Sequence, residues 1–90
     1  MQQLFTKSLV VENKLGLHTR VCAKIVDCAC QFRAKIVLSC HGKSADAQRI
    51  IEVMSLGAAF GEVVEISVEG VDAEIAMRNM SALFESKFGE

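Results

Sequence analysis

The run Val64-Glu65-Ile66-Ser67-Val68-Glu69 alternates apolar and polar side chains without a slip. A period of two sends its apolar residues to one face of a strand and its polar residues to the other. This segment, ended by Gly70, predicts a strand covered on one side only. Parallel sheets need cover on both faces, so such strands belong to a mainly antiparallel sheet whose helices gather on a single face. With 90 residues, 51% of them apolar, the chain has room for one small core and needs neither disulfide nor metal to form it. It predicts a single domain over residues 1–90.

The remaining segments fit around that strand. Leu4 to Val11 is β-prone, although its alternation is imperfect, with Thr6 and Ser8 on one side and Lys7 on the other. After the polar turn Glu12 to Gly16, the chain is apolar at Val21, Cys22, Ile25, Val26, Ala29 and Cys30. Steps of three and four residues make a helix with one buried face, and His18 sits at or beside its N-cap. Ala34, Ile36, Leu38 and Cys40 alternate as a second strand. His41-Gly42-Lys43 reads as a tight turn into a third strand, Lys43 to Ala45. Asp46 to Leu56 predicts a short helix stopped by Gly57. Asp72 suits the cap of a last helix reaching Phe84 to Lys87, with Ile75, Ala76, Met80, Leu83 and Phe84 as its packed stripe. The order β-α-β-β-α-β-α predicts an α+β open-faced β-sandwich, a four-stranded mainly antiparallel sheet with three helices on one face.

Charge and composition exclude several functions. The formal net charge is −1 and the ten basic residues are spread along the chain, which argues against a nucleic-acid binder. No apolar run approaches the ~20 residues of a membrane span, and the N-terminus lacks the apolar stretch of a signal peptide. These features predict a soluble, cytoplasmic protein, a monomer by default. Cys22, Cys28, Cys30 and Cys40 contain no C-x-x-C pair, so no metal site is expected and the cysteines read as small buried side chains in a reducing compartment. Cys40-His41 does offer two adjacent donors. No phosphate-loop glycines, catalytic-triad signature or carboxylate pair near the histidine appear, and no cofactor is expected.

The chemistry concentrates in Asn13-Lys14-Leu15-Gly16-Leu17-His18-Thr19-Arg20, where a polar turn becomes a helix. The first amides of a helix lack carbonyl partners and, with the aligned peptide dipoles, attract an anion such as phosphate. An imidazole there can accept a phosphoryl group as nucleophile, and an arginine two residues on can hold its oxygens. A lone histidine is weak support for chemistry, and a lone arginine is usually a solvated charge. Their spacing, Gly16 and the helix start lend them weight together. His41, in a turn between polar residues, reads as structural. The helix at 46–56 has more apolar residues than one buried stripe holds. Some of Ile50, Val53 and Met54 are therefore expected at the surface, and Ile50 and Met54, four apart, are expected to join Thr19 and Arg20 in a partner-binding surface.

The chain resembles the HPr family, the histidine-containing phosphocarriers of the bacterial phosphotransferase system. Gly16-Leu17-His18-Thr19-Arg20 matches the family's Gly-x-His-x-Arg segment, Val53-Met54-Ser55-Leu56-Gly57 is similar to the end of its second helix, and the element order covers essentially the whole chain. The resemblance implies that His18 takes phosphate on Nδ1 from phosphorylated enzyme I, attended by Arg20, and gives it to a histidine of an EIIA-type protein or domain. It implies a carrier rather than an enzyme that turns over substrate alone. The segment before His18, and Ala82-Leu83-Phe84 with Phe88, look similar to the nitrogen-related NPr branch, so sugar transport and nitrogen regulation both stay open. Two positions depart from the pattern. Val21 stands where the family usually has proline, which implies a looser helix start. Arg49 stands where some members carry a regulatory serine, which implies that this switch is missing. Two other readings compete: a regulatory or interaction domain of the same fold that is not phosphorylated, and a thiol or metal protein using the cysteines with His18 or His41.

Overall fold

In the computed structural model, which describes residues 3–90, the alternating run lies inside the sheet, flanked on both sides. The elements are β1 (Gln3–Val10), α1 (Thr19–Ala29), β2 (Lys35–Cys40), β3 (Lys43–Asp46), α2 (Ile50–Ser55), β4 (Val63–Gly70) and α3 (Ala73–Glu85). The strand order is β1-β4-β2-β3 and each pairing is antiparallel. Ile36 faces Val68 and Leu38 faces Ile66 across the β2–β4 pair, so the buried rows of neighbouring strands meet in one sheet face. Leu9 and Phe5 extend those rows into β1 opposite Val64 and Val68.

The imperfect alternation of β1 has a physical reason. Lys7 pairs with Ile66, on the helix-covered face, but β1 is an edge strand. The Lys7 side chain stays exposed there, and its Nζ donates to Ser81 Oγ of α3 at 3.3 Å. A charge turned inward on an edge strand also discourages further strand pairing.

Three expectations are corrected. The second helix starts at Ile50, not Asp46. Asp46 stays in β3 opposite Val37, and its carboxylate accepts the Gln48 amide at 2.9 Å, turning the chain before α2 begins. Asp72 occupies the N-cap position of α3 but makes no side-chain cap. Its two carboxylate oxygens accept the amides of Arg33 and Ala34, each at 2.8 Å, and so tie the entry of β2 to the start of α3. Finally, Ile75 is 49% exposed. The packed face of α3 runs instead through Ala73, Ala76, Met77, Met80 and Phe84, with Leu83 half-buried beside it.

The cysteines also divide. Cys22 and Cys40 are buried, Cys28 is half-buried and Cys30 is exposed, contrary to the expectation for the last. Among the described residues no helix is long and apolar enough to cross a membrane.

Candidate functional site

The loop from Val11 to His18 is held from several sides. The Asn13 side chain, 2% exposed as a residue, donates from Nδ2 to the Gly16 carbonyl at 2.7 Å. The Gly16 amide returns to the Asn13 carbonyl at 3.1 Å, closing the turn. Gly16 has φ +66, and a Cβ there would stand 2.7 Å from the Ala58 carbonyl oxygen. Only glycine fits, which explains physically why glycine stands two residues before the histidine. Leu17 then plugs the core, with its amide on the Ala58 carbonyl at 3.0 Å and its own carbonyl accepting the Cys22 thiol at 3.2 Å. The backbone at His18 is therefore fixed by its neighbours on both sides.

His18 is the N-cap of α1, with an extended backbone, φ −79 and ψ 174. Its carbonyl accepts the Cys22 amide at 2.9 Å, so the helix begins as the sequence predicts. The imidazole makes no capping bond and is left for other work. The amides of Thr19, Arg20 and Val21 lack an acceptor four residues back within the helix. Val21 is fully buried, so the residue standing in place of proline contributes core packing. No acidic residue lies in the first turn of α1 to balance its dipole.

That negative charge comes from the far end of the chain. The Glu90 carboxylate lies against His18 Nε2, at 3.0 Å from Oε2 and 3.2 Å from Oε1. Oε2 also receives the Arg20 guanidinium, and Asn13 Nδ2 lies 3.4 Å from Oε1. The His18 contact, then the Arg20 contact, pulls the Glu90 carboxyl down to about 2. Glu90 was not foreseen from the sequence; it stands 72 residues from His18, and nothing in its surroundings marks it. Its delivery depends on a left-handed turn at Lys87, Phe88 and Gly89, with φ of 55, 56 and 76. Two non-glycine residues in this region cost about 1–2 kcal/mol each. Burial of Phe88, packed edge-on against Phe84 at 4.8 Å between centroids, and a bond from Lys24 Nζ to the Phe88 carbonyl offset that strain.

The expected partner surface is distributed as follows. Thr19 and Arg20 are exposed, the Arg20 side chain to 67%. Met54 is 40% exposed, whereas Ile50 is half-buried against the core and Val53 is wholly inside. The most exposed apolar side chain of α2 is Ile51, at 75%, a residue outside the expected partner surface. Since α2 packs beside α1, Ile51 and Met54 add apolar surface to the helix pair that carries His18. Among the described residues, one group with metal-donor atoms, Cys40, His41 and Glu62, gathers at the β2–β3 turn.

The sequence model of the family described as "PTS HPr component phosphorylation site" matches residues 5–86. The phosphocarrier protein HPr of Xylella fastidiosa is 42% identical over 82 residues, which are 91% of this chain and 92% of that protein. The phosphocarrier protein HPr of Cupriavidus necator is 36% identical over 87 residues, 97% of this chain and 98% of that protein. Among solved structures, an HPr from Thermoanaerobacter tengcongensis superposes with a TM-score of 0.92 at 40% identity, covering 96% of this chain and 97% of the other.

Proposed function

The chain belongs to the HPr family of phosphocarriers, and on that premise we propose that His18 is the residue that carries the phosphoryl group. It takes the group from phosphorylated enzyme I and passes it to a histidine of an EIIA-type protein or domain, in the cytoplasm and as a monomer. The observation that carries this reading is that one displaceable carboxylate, Glu90, occupies both His18 and Arg20 at the start of α1. A carboxylate seated there identifies a place that favours an anion, and a phosphoryl group satisfies the same partners with more charge.

The same contact prepares the nucleophile. Glu90 is ionised throughout the neutral range, and an ionised carboxylate can only accept. In the neutral imidazole the proton therefore sits on Nε2 and the lone pair on Nδ1. Nδ1 attacks phosphorus, and the bond from phosphorus to the donor breaks with its electron pair returning to the donor. The first-turn amides and the Arg20 guanidinium receive the phosphoryl oxygens, and like-charge repulsion expels Glu90. Because one guanidinium and a few amides at an open surface hold the group lightly, it can leave again. Ile50 and Met54, with Thr19, supply the apolar and polar contacts for docking, and Ile51 extends them.

Incubation with enzyme I and phosphoenolpyruvate tests this directly. Mass spectrometry is expected to show one acid-labile phosphoryl group at His18, absent from His18→Ala. A wild-type chain that stays unmodified, or is modified elsewhere, refutes the assignment.

A further inference from the structure

Phosphoryl transfer through His18 leaves Cys40, His41 and Glu62 without a role. Cys40 ends β2 with its side chain buried, His41 opens the two-residue turn to β3, and Glu62 lies just before β4. One donor atom from each lies within 4.8 Å of the other two. Tetrahedral zinc, with bonds of about 2.0–2.3 Å, spaces its ligand atoms about 3.3–3.8 Å apart, so small side-chain rotations suffice to close on the ion. We propose that Cys40 Sγ, His41 Nε2 and Glu62 Oε2 form a three-ligand site for a borderline divalent transition metal, zinc above all, with water in the fourth position.

Four observations converge on this assignment. The donor set of one sulfur, one nitrogen and one oxygen suits zinc, whereas magnesium and calcium take oxygen alone. A thiolate and a carboxylate together balance the charge of a dication, so the loaded cluster is neutral at a half-buried position. The Glu62 carboxylate is already oriented from behind, because its Oε1 accepts the Ala59 amide while Oε2 pairs with His41. Metal-bound carboxylates characteristically carry such an outer bond. His41 and Gly42 both have positive φ, 55 and 75, the pattern of a type I′ hairpin. Folding alone favours Asn, Asp or Gly at the first of these positions, so the turn by itself does not account for an imidazole there.

Access is open, with the His41 side chain 56% and the Glu62 side chain 30% exposed. On binding, the Cys40 thiol gives its proton to solvent and the His41–Glu62 pair is replaced by two bonds to the ion. The site is independent of the phosphocarrier reading and stands or falls without it.

The test uses the full chain, stripped with a chelator under reducing conditions and titrated with cobalt(II) alone. One equivalent is expected to produce a thiolate-to-cobalt charge-transfer band, and zinc is expected to abolish it by displacement. His41→Asn keeps the turn geometry, and it and Glu62→Gln are each expected to weaken cobalt binding at least about 10-fold. Cys40→Ser is expected to remove the band. The Cys28→Ser/Cys30→Ser double variant and His18→Ala are expected to bind like the parent. The proposal is overturned if the parent gives no band, if His41→Asn binds as tightly as the parent, or if the band follows Cys28 and Cys30.

Discussion

The molecule sets a histidine against a glutamate twice, and the two pairs face opposite ways chemically. His18 and Glu90 meet at the start of α1, where unpartnered amides and the Arg20 guanidinium concentrate positive potential. His41 and Glu62 meet at a hairpin turn beside a buried thiol. On the proposed reading, the carboxylate of the first pair is the group to be displaced, because a larger anion satisfies the same donors. In the second the carboxylate is a ligand, because its neighbours offer lone pairs. The third partner and the local backbone, not the histidine–glutamate contact, decide whether the place suits a phosphoryl group or a cation.

Exchange of the two histidines gives the largest contrast. His18→Ala is expected to abolish phosphorylation by enzyme I and phosphoenolpyruvate with its circular dichroism unchanged, whereas His41→Asn is expected to be phosphorylated at the parental rate. Equal losses in both variants would erase the distinction between the pairs.

The supporting glycines differ in the same manner. Gly16→Ala meets both a positive φ and the Ala58 carbonyl at 2.7 Å, and it is expected to lower stability in urea by more than about 2 kcal/mol. Gly42 has φ +75 but nothing within 4 Å of an added Cβ, so Gly42→Ala is expected to cost only about 1 kcal/mol. Equal costs would mean that the loop before His18 gives way and is not rigidly backed.

If Arg20 holds the transferred group as proposed, Arg20→Ala removes a charge-assisted contact worth about 1.5–3 kcal/mol, so kcat/KM for phosphorylation should fall about 10- to 100-fold. Stability should change little, since the side chain is largely in solvent. A smaller decrease is expected for Met54→Glu, which places a charge on the exposed side of α2. Transfer from enzyme I should slow while urea unfolding stays parental, and unaltered kinetics would remove Met54 from the docking surface.

The subtlest effect is on pH dependence. The His18 contact first, and Arg20 second, hold the folded-state carboxyl of Glu90 at about 2, below its ordinary 4.5. A carboxyl lowered on folding contributes stability that is complete above its ordinary value and disappears as pH falls through the folded one. An NMR titration of the Glu90 carboxyl carbon is expected to show that low midpoint, and to move upward in Arg20→Ala. A parental midpoint near 4.5 would show that the carboxylate does not rest on the site.

Much of this was legible in the chain itself. Strict alternation marked β4, three- and four-residue spacing marked α1, and Gly16, His18 and Arg20 marked the candidate site, because each signal is carried within about one turn or one strand. Element starts were less legible. Asp46 reads as a helix-entry residue yet stays in a strand, whereas Asp72 does stand at the entry of α3 but turns its carboxylate to the amides of Arg33 and Ala34 instead of capping the helix. A short carboxylate satisfies whichever amides tertiary packing brings near, so its sequence neighbourhood cannot name them.

The sequence by itself determined the periodicities, the element order, the half-covered sheet and a histidine at a helix start, since local sterics and burial encode all of these. Tertiary structure alone decided that β4 lies between β1 and β2, that Lys7 reaches Ser81 at an edge, and that Ile51 rather than Val53 meets solvent. It also decided that Glu90 returns to His18 and that Glu62 meets His41 beside Cys40. Those contacts join segments far apart along the chain. They exist only once the core has paid the entropy of closing the loops between them, and no local pattern records that closure.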